Sequence, residues 1–447
     1  MILIILFHNN RKNVQKLKIF ESVYTKMKTV GIIAEFNPFH NGHKFLIEES
    51  KKRTGADYCA VVMSGDFVQR GAPAVTDKFT RARAALLSGA DLVLELPSYY
   101  ALGSAEYFAS GAVFLLNKLN SIDYLCFGSE SEDIVLLSDI ADILNAESDS
   151  FKRNIKENTK SGKSYASSRE SAVFSELYSA SGSLHDHHKE AEIKKALTLP
   201  NNILAIEYLR ALKRTNSRIS PVMIKRIGEN YHSTDISEYA SATAIRNSIS
   251  KNAAGSFMLP DSVKNAMPEE SFNLLNDKLT CGDYVKDDIL NNLLYYKLLQ
   301  NKGNFTPFLD VSENLSNKIN KNIDKYDTFD GFCNILKSKD LSHTRISRCL
   351  MHILLDIKTS NMQEYKDDNF TSFIRILGQK KSSFPLLAKI GEASEIPVIN
   401  RLKDAEKLLD PLSVQLLNEN LTASKVYNLL CGKKNVSEFS LPPIILR

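Results

Sequence analysis

Apolar residues in the first half of the chain fall into short, nearly unbroken runs separated by polar stretches long enough to hold a helix. Val30–Ala34, Tyr58–Met63, Asp91–Leu96 and Ile122–Phe127 are such runs. A strand covered on both faces needs apolar side chains at every position, so each run reads as a buried strand. The third and fourth are each preceded by a helical segment of fitting length, and the alternation predicts an α/β unit built on a doubly wound, Rossmann-like parallel sheet. Pro221–Ile224 is strand-like and Ile203–Lys213 helix-like. Beyond about Asn252 the pattern changes. Pro260 and Asn- and Lys-rich stretches break up a mostly helical periodicity, as in Asp287–Leu299 and Arg345–Ile357, while Phe373–Gly378 looks like a separate element ended by glycine. The expected organisation is a sheet-containing unit over 27–252 and a mainly α-helical region over 253–447, and 447 residues suit two or three domains.

The first run carries the most chemistry. Asn37-Pro38 ends it in a loop, and from about Gly42 the sequence reads as an amphipathic helix, whose free first-turn N–H groups attract anions. His40 and His43 flank that positive end, Gly42 permits close approach of backbone to a phosphate, and two imidazoles can donate hydrogen bonds to phosphate oxygens. The plain alternatives are a capping histidine beside a surface one, or half of a zinc site. Zinc needs further ligands, and neither His-Glu-x-x-His nor paired Cys-x-x-Cys occurs. Elsewhere the residues leave two readings each. Arg70, after the turn Ser64-Gly65-Asp66, reaches phosphate or RNA, or is simply solvated. Gly128 admits an adenine or ribose, or makes a turn. Asn201 and Asn202 begin a helix, where one amide commonly serves as a cap.

Composition narrows the class. With 43% hydrophobic and 24% charged residues the chain is an ordinary globular protein, and a net charge of +5 permits RNA binding without arguing for it. Six cysteines are scattered without pairing pattern, which suits a reducing cytoplasm. Met1–His8 is apolar but too short to span a membrane and lacks a small-residue cleavage site, so residues 1–26 read as an N-terminal extension upstream of a better start at Met27. His185-Asp186-His187-His188 lies in a polar segment and reads as a solvated loop, so no protein-held metal is expected.

His40-Asn41-Gly42-His43 after a hydrophobic strand resembles the HxGH signature of the nucleotidyltransferase superfamily. The longer string Glu35–His43, together with Met63–Gly71, resembles the bacterial tRNA(Met) cytidine acetate ligases. Further matches follow in family order: Phe127–Glu130, Gly162–Ala166, Pro200–Tyr208, Lys225–Gly228 and Ser241–Arg246. The resemblance runs from about Met27 to the C-terminus and is densest before Ser250. Ser241–Arg246 departs mildly, with Ala242 where serine or threonine is usual.

The resemblance implies an enzyme that activates acetate with ATP, without using acetyl-CoA, and passes the acetyl group from acetyl-adenylate to the wobble cytidine of elongator tRNA(Met). It implies a nucleotidyltransferase-like ATP-binding catalytic domain over 27–252, a tRNA-binding region over 253–447, magnesium carried in on ATP, and a cytoplasmic protein without a membrane partner. His40 and His43 are the implied catalytic residues. ATP is implied to contact Ile33, Ala34, Glu35, Phe36, Asn37, Pro38, Phe39, His40, Asn41, Gly42, His43, Lys44, Phe45 and Leu46, with Gly128, Asn201, Arg226, Thr243 and Arg246. Arg345 and Arg348, three apart at the start of a helix, and the Phe373–Gly378 element with its Arg375 are candidate tRNA contacts, although helix-surface arginines usually have no ligand. Two other functions fit a superfamily fold: a cofactor-forming adenylyltransferase, and a nucleotide- or RNA-binding protein without turnover.

Overall fold

The computed structural model describes residues 27–181, 187–227, 237–251, 256–399 and 401–447. The extension 1–26, His185, Asp186, Gly228 and the expected boundary at 252/253 lie outside the described residues, as do the side chains of His187 and His188.

The first half runs β1 (Thr29–Ala34), α1 (Asn41–Thr54), β2 (Tyr58–Ser64), α2 (Lys78–Leu87), β3 (Leu92–Leu96), α3 (Ala105–Lys118), β4 (Tyr124–Ser129), α4 (Pro200–Arg214) and β5 (Ser220–Lys225). These strands lie side by side in the order β3-β2-β1-β4-β5, all parallel. Alternate residues of β2 feed two cores. Cys59, Val61 and Met63 pack with Val30 and Ile32 on one face, while Ala60 and Val62 pack with Leu92 and Leu94 on the other. Both faces being covered is why the strands read as unbroken apolar runs. Strand order reverses between β1 and β4, and in such sheets ligands bind beyond the carboxyl ends of the strands at this point.

The second half is mainly helical, with α5 (Ala242–Ser248), α6 (Glu269–Thr280), α7 (Asp287–Gln300), α8 (His343–Leu355), β6 (Ile374–Lys380), β7 (Val398–Ile399), α9 (Pro411–Leu430) and β8 (Ile444–Leu446) among its elements. The expected α/β class and helical C-terminal region are both present, but the sheet is larger and mixed. The segment around Phe373–Gly378 is no separate element, and its Arg375 is buried rather than exposed to RNA. As β6 it pairs antiparallel with β3 and parallel with β7 and β8, so the C-terminal region completes the sheet. Gly378 allows this approach, because a Cβ there would meet Leu86 Cδ1 at 2.7 Å and Ile444 Cβ at 2.9 Å.

A buried ion network fastens that edge. Lys78 Nζ lies 2.7 Å from Glu95 Oε1 and 2.9 Å from Glu438 Oε1, and Arg375 Nη1 lies 2.7 Å from Glu95 Oε2 while its other nitrogen pairs with Glu438. Burial pushes the Glu438 carboxyl up, but Lys78 and Arg375 outweigh it and hold the group down at about 2. Among the described residues no helix is long and apolar enough to cross a membrane.

Candidate nucleotide site

Helix α1 begins directly above the carboxyl end of β1, and two histidines cap it. His40 is the N-cap residue, and its Nδ1 accepts from the Gly42 N–H at 3.1 Å. Reciprocally, the His40 N–H donates to Nδ1 of His43 at 3.2 Å. With Nδ1 of each ring occupied as an acceptor, the neutral tautomer carries its proton on Nε2, so both rings are left as donors. Burial drives both rings toward the neutral form. It lowers His40 to about 3, helped by Arg226 and Arg246, and it lowers His43 well below the usual range, helped by His40 and Arg226. Phe36 and Phe39 hold the His43 ring, with centroids 4.9 and 5.5 Å away.

The rings open onto a cleft whose lining also includes Ile33, Ala34, Glu35, Asn37, Gly42, Phe45, Leu46, Gly128, Asn201, Arg226, Thr243 and Arg246. Segments more than two hundred residues apart in sequence therefore converge on the switch point of the sheet. Arg246, on α5, bonds the backbone oxygen of Asn37 and reaches Thr243 Oγ1 at 3.3 Å. Arg226, just past β5, bonds Asn201 Oδ1 at 3.4 Å. Glu35 faces the cleft from the end of β1. Burial raises its carboxyl, against the Gln69 N–H that it accepts at 2.7 Å and the nearby Arg246. Among the described residues no group of three or more His, Cys, Asp or Glu is placed to hold a metal ion.

Four of the expected contact residues do not line the cleft: Pro38, Phe39, Asn41 and Lys44. Phe39 is buried beneath the histidines. Asn41 turns away, donating to the backbone oxygens of Glu238 at 3.0 Å and Asn265 at 2.8 Å. Lys44 points outward toward Glu48, one helical turn on. Two glycines of the lining also make room for protein side chains. A Cβ on Gly42 would meet the His40 ring at 2.9 Å, and one on Gly128 would meet Arg226 Cγ at 3.2 Å, so each makes room for a protein side chain. Neither asparagine is the N-cap of α4, which is Leu199. Instead Glu130 bonds the Asn202 N–H at 2.9 Å, and Asn202 Oδ1 gathers Ser129 Oγ and the N–H groups of Glu130 and Ser131.

Sequence reading missed Gln69, Tyr208 and Tyr239 in the lining, and it missed Arg81 beneath it. The guanidinium of Arg81 is fully buried and donates to backbone oxygens of Thr76, Glu35, Ser64 and Gly65, which pins together the ends of β1 and β2. Its spacing on α2 resembles that of a solvated arginine, and no local signal marks it.

The geometry defines a nucleotidyltransferase of the HxGH type, and residues 27–440 match the HIGH Nucleotidyl Transferase family. More narrowly, the chain belongs to the tRNA(Met) cytidine acetate ligase family. It is 38% identical to the tRNA(Met) cytidine acetate ligase of Acetivibrio thermocellus over 91% of this chain and 96% of that protein. It is 40% identical to that of Clostridium kluyveri over 94% and 99% respectively. The crystal structure of Thermotoga maritima TmcAL bound with alpha-thio ATP superposes with a TM-score of 0.84 at 29% identity, covering 94% of this chain and all of that one (100%).

Proposed function

We propose that this chain joins acetate to ATP, forming acetyl-adenylate and pyrophosphate, and transfers the acetyl group to the exocyclic amine of the wobble cytidine in elongator tRNA(Met), giving N(4)-acetylcytidine and AMP. Acetate supplies the acyl group directly, so acetyl-CoA has no role. The observation that carries this reading is the pair of neutral imidazoles, each with Nδ1 occupied, standing beside Arg226 and Arg246 where β1 ends.

In the first step an acetate oxygen attacks the α-phosphorus in line, and the bond to the β-phosphate oxygen breaks. Negative charge grows on the α-phosphoryl oxygens and on the departing pyrophosphate. Nε2–H groups of His40 and His43 donate hydrogen bonds to these oxygens, while Arg246 and Arg226 supply the positive charge that neutral imidazoles do not. Magnesium enters with ATP, on its phosphates, as part of the substrate. Asn201 and Arg226, joined to one another, hold the nucleotide from the β4 and β5 side. Second, the cytidine amine attacks the acetyl carbonyl, AMP leaves and the amine loses a proton. The mixed anhydride is already activated, so holding the two groups together supplies much of the acceleration. An unpaired anticodon loop lets that base be turned out of its stack at modest cost.

The test is acetylation of unmodified elongator tRNA(Met) with labelled acetate, comparing the intact protein with His43→Ala and with a reaction lacking ATP. Label at the wobble cytidine only with the intact protein and ATP is the expected result. No label with folded protein and verified tRNA would overturn the reading and return the adenylyltransferase and binding-protein alternatives.

A further inference from the structure

The first turns of α8 carry cations that the cleft does not use. Arg345 and Arg348 stand three residues apart, which on a helix puts their Cβ atoms about 5–6 Å from each other on one face. Among the described residues neither makes an ion pair, and Nε of Arg348 is buried without a hydrogen-bond partner. Asp310 favours the charge of Arg348 against the burial that opposes it.

This turn is locked to the rim of the cleft. Ser347 Oγ donates to the backbone oxygen of Gly71 at 2.7 Å. Gly71 has φ of +79°, and a Cβ there would lie 2.3 Å from the Arg348 backbone nitrogen, so only glycine lets the two segments meet. The residues just before it, Gln69 and Arg70, line the cleft. On the far side, Lys339 Nζ donates to the backbone oxygen of Gly162 at 2.8 Å, which brings the loop before α8 against exposed Lys163. Cations thus continue outward from the cleft through Arg70, Arg348, Arg345, Lys339 and Lys163.

We propose that this strip binds the phosphate backbone of the RNA strand flanking the nucleotide held in the cleft. A phosphodiester chain presents one anion per nucleotide, guanidinium forks match phosphate oxygens, and contacts of this kind set the register of a strand without reading its bases. That the RNA is elongator tRNA(Met) rests on the acetylation reading. The strip itself rests on the contacts above.

Binding of unmodified elongator tRNA(Met) is measured by fluorescence anisotropy between 50 and 200 mM KCl, without ATP or acetate. Arg345→Glu combined with Lys163→Glu should raise Kd at least tenfold. It should also flatten the slope of log K against log salt by about 1.5, as expected for two lost phosphate contacts. Lys403→Glu, a charge reversal at an exposed site just past β7, should stay within about twofold of the unmodified protein. Unchanged Kd and slope in the double variant, equal weakening by Lys403→Glu, or no binding by the unmodified protein would each overturn the strip. Acetate-dependent ATP–pyrophosphate exchange, run without tRNA, tests the chemistry separately. Exchange that fails while the double variant weakens binding removes the acetylation reading and leaves the strip standing.

Discussion

Two clusters of charge, both assembled from distant segments, differ in how their charges are matched. Around Lys78 and Arg375, acids and bases alternate at contact distance, with Glu95 and Glu438 each touching both cations. Among the described residues, the cleft is lined by Arg70, Arg226, Arg246 and Lys225, with Glu35 as the single carboxylate. The first cluster is closed on itself and holds β6 to β3. In the second, cations outnumber acids beside two donor imidazoles, an arrangement suited to a polyanion arriving from outside. Matched charge serves the fold, whereas an excess of one sign marks the place where the protein meets its substrate.

Substitutions test that contrast, and the largest effect is expected in the matched cluster. Lys78→Met leaves Glu95 and Glu438 short of a partner in the interior, and denaturant titration should show a loss of about 3–5 kcal/mol. Adding Glu95→Gln should restore part of it, since removing a charge together with its partner costs less than stranding one. If Lys78→Met unfolds at the same denaturant concentration as the unmodified protein, the network does not hold the sheet edge.

His43→Ala should do the reverse, lowering the rate of acetate-dependent ATP–pyrophosphate exchange about 10²–10³-fold while costing only about 1 kcal/mol of stability, the worth of a helix cap. Equal loss of stability and of rate would erase the distinction between the two clusters.

A smaller effect appears in acid. His40 is neutral when folded and titrates near 6.5 when unfolded, so below pH 6.5 the unfolded chain takes up more protons than the folded one. Its contribution to stability is complete above about pH 6.5 and declines toward about 3, by up to about 1.4 kcal/mol per pH unit. His40→Asn should therefore lose stability less steeply than the unmodified protein between pH 6.5 and 4. Parallel curves would mean that the ring takes up its proton as readily in the fold as in the unfolded chain.

The smallest change is expected at Lys225, whose partner Glu132 is as exposed as it is. Lys225→Ala should alter stability by no more than about 0.5 kcal/mol, since solvent screens such pairs. Any larger loss in thermal unfolding would mean that the pair is not merely a surface contact.

The sequence made the parallel half of the sheet plain, because strands covered on both faces leave uninterrupted apolar runs. The same holds for the anion end of α1, where a strand, a loop and two histidines lie within fifteen residues. Pairings across long separations left no such trace. Nothing near Ile374 announces that it joins β3, and Arg375, in an otherwise apolar run, discloses its burial only once Glu95 and Glu438 stand beside it. The neighbours of the glycines were hidden for a related reason. Gly42 and Gly128 spare room for His40 and Arg226, and the second of these neighbours is nearly a hundred residues away. Asn41 lies within the strongest motif yet bonds residues about two hundred positions downstream, so membership of a motif did not decide which side chains face the cleft.

The antiparallel pairing of β6 with β3 also has a consequence for the ribosome. Ile376 and Leu94 are partners separated by about 280 residues of chain. At roughly 5–20 residues per second, β3 waits some 15 to 55 s for the strand that covers its edge. During that interval Glu95 has no Arg375, and a bare strand edge is available to any other nascent chain. Translation of this protein thus passes through a vulnerable period that lasts until β6 (Ile374–Lys380) has been made, and slow translation or termination before that point should direct the product toward chaperones or aggregates.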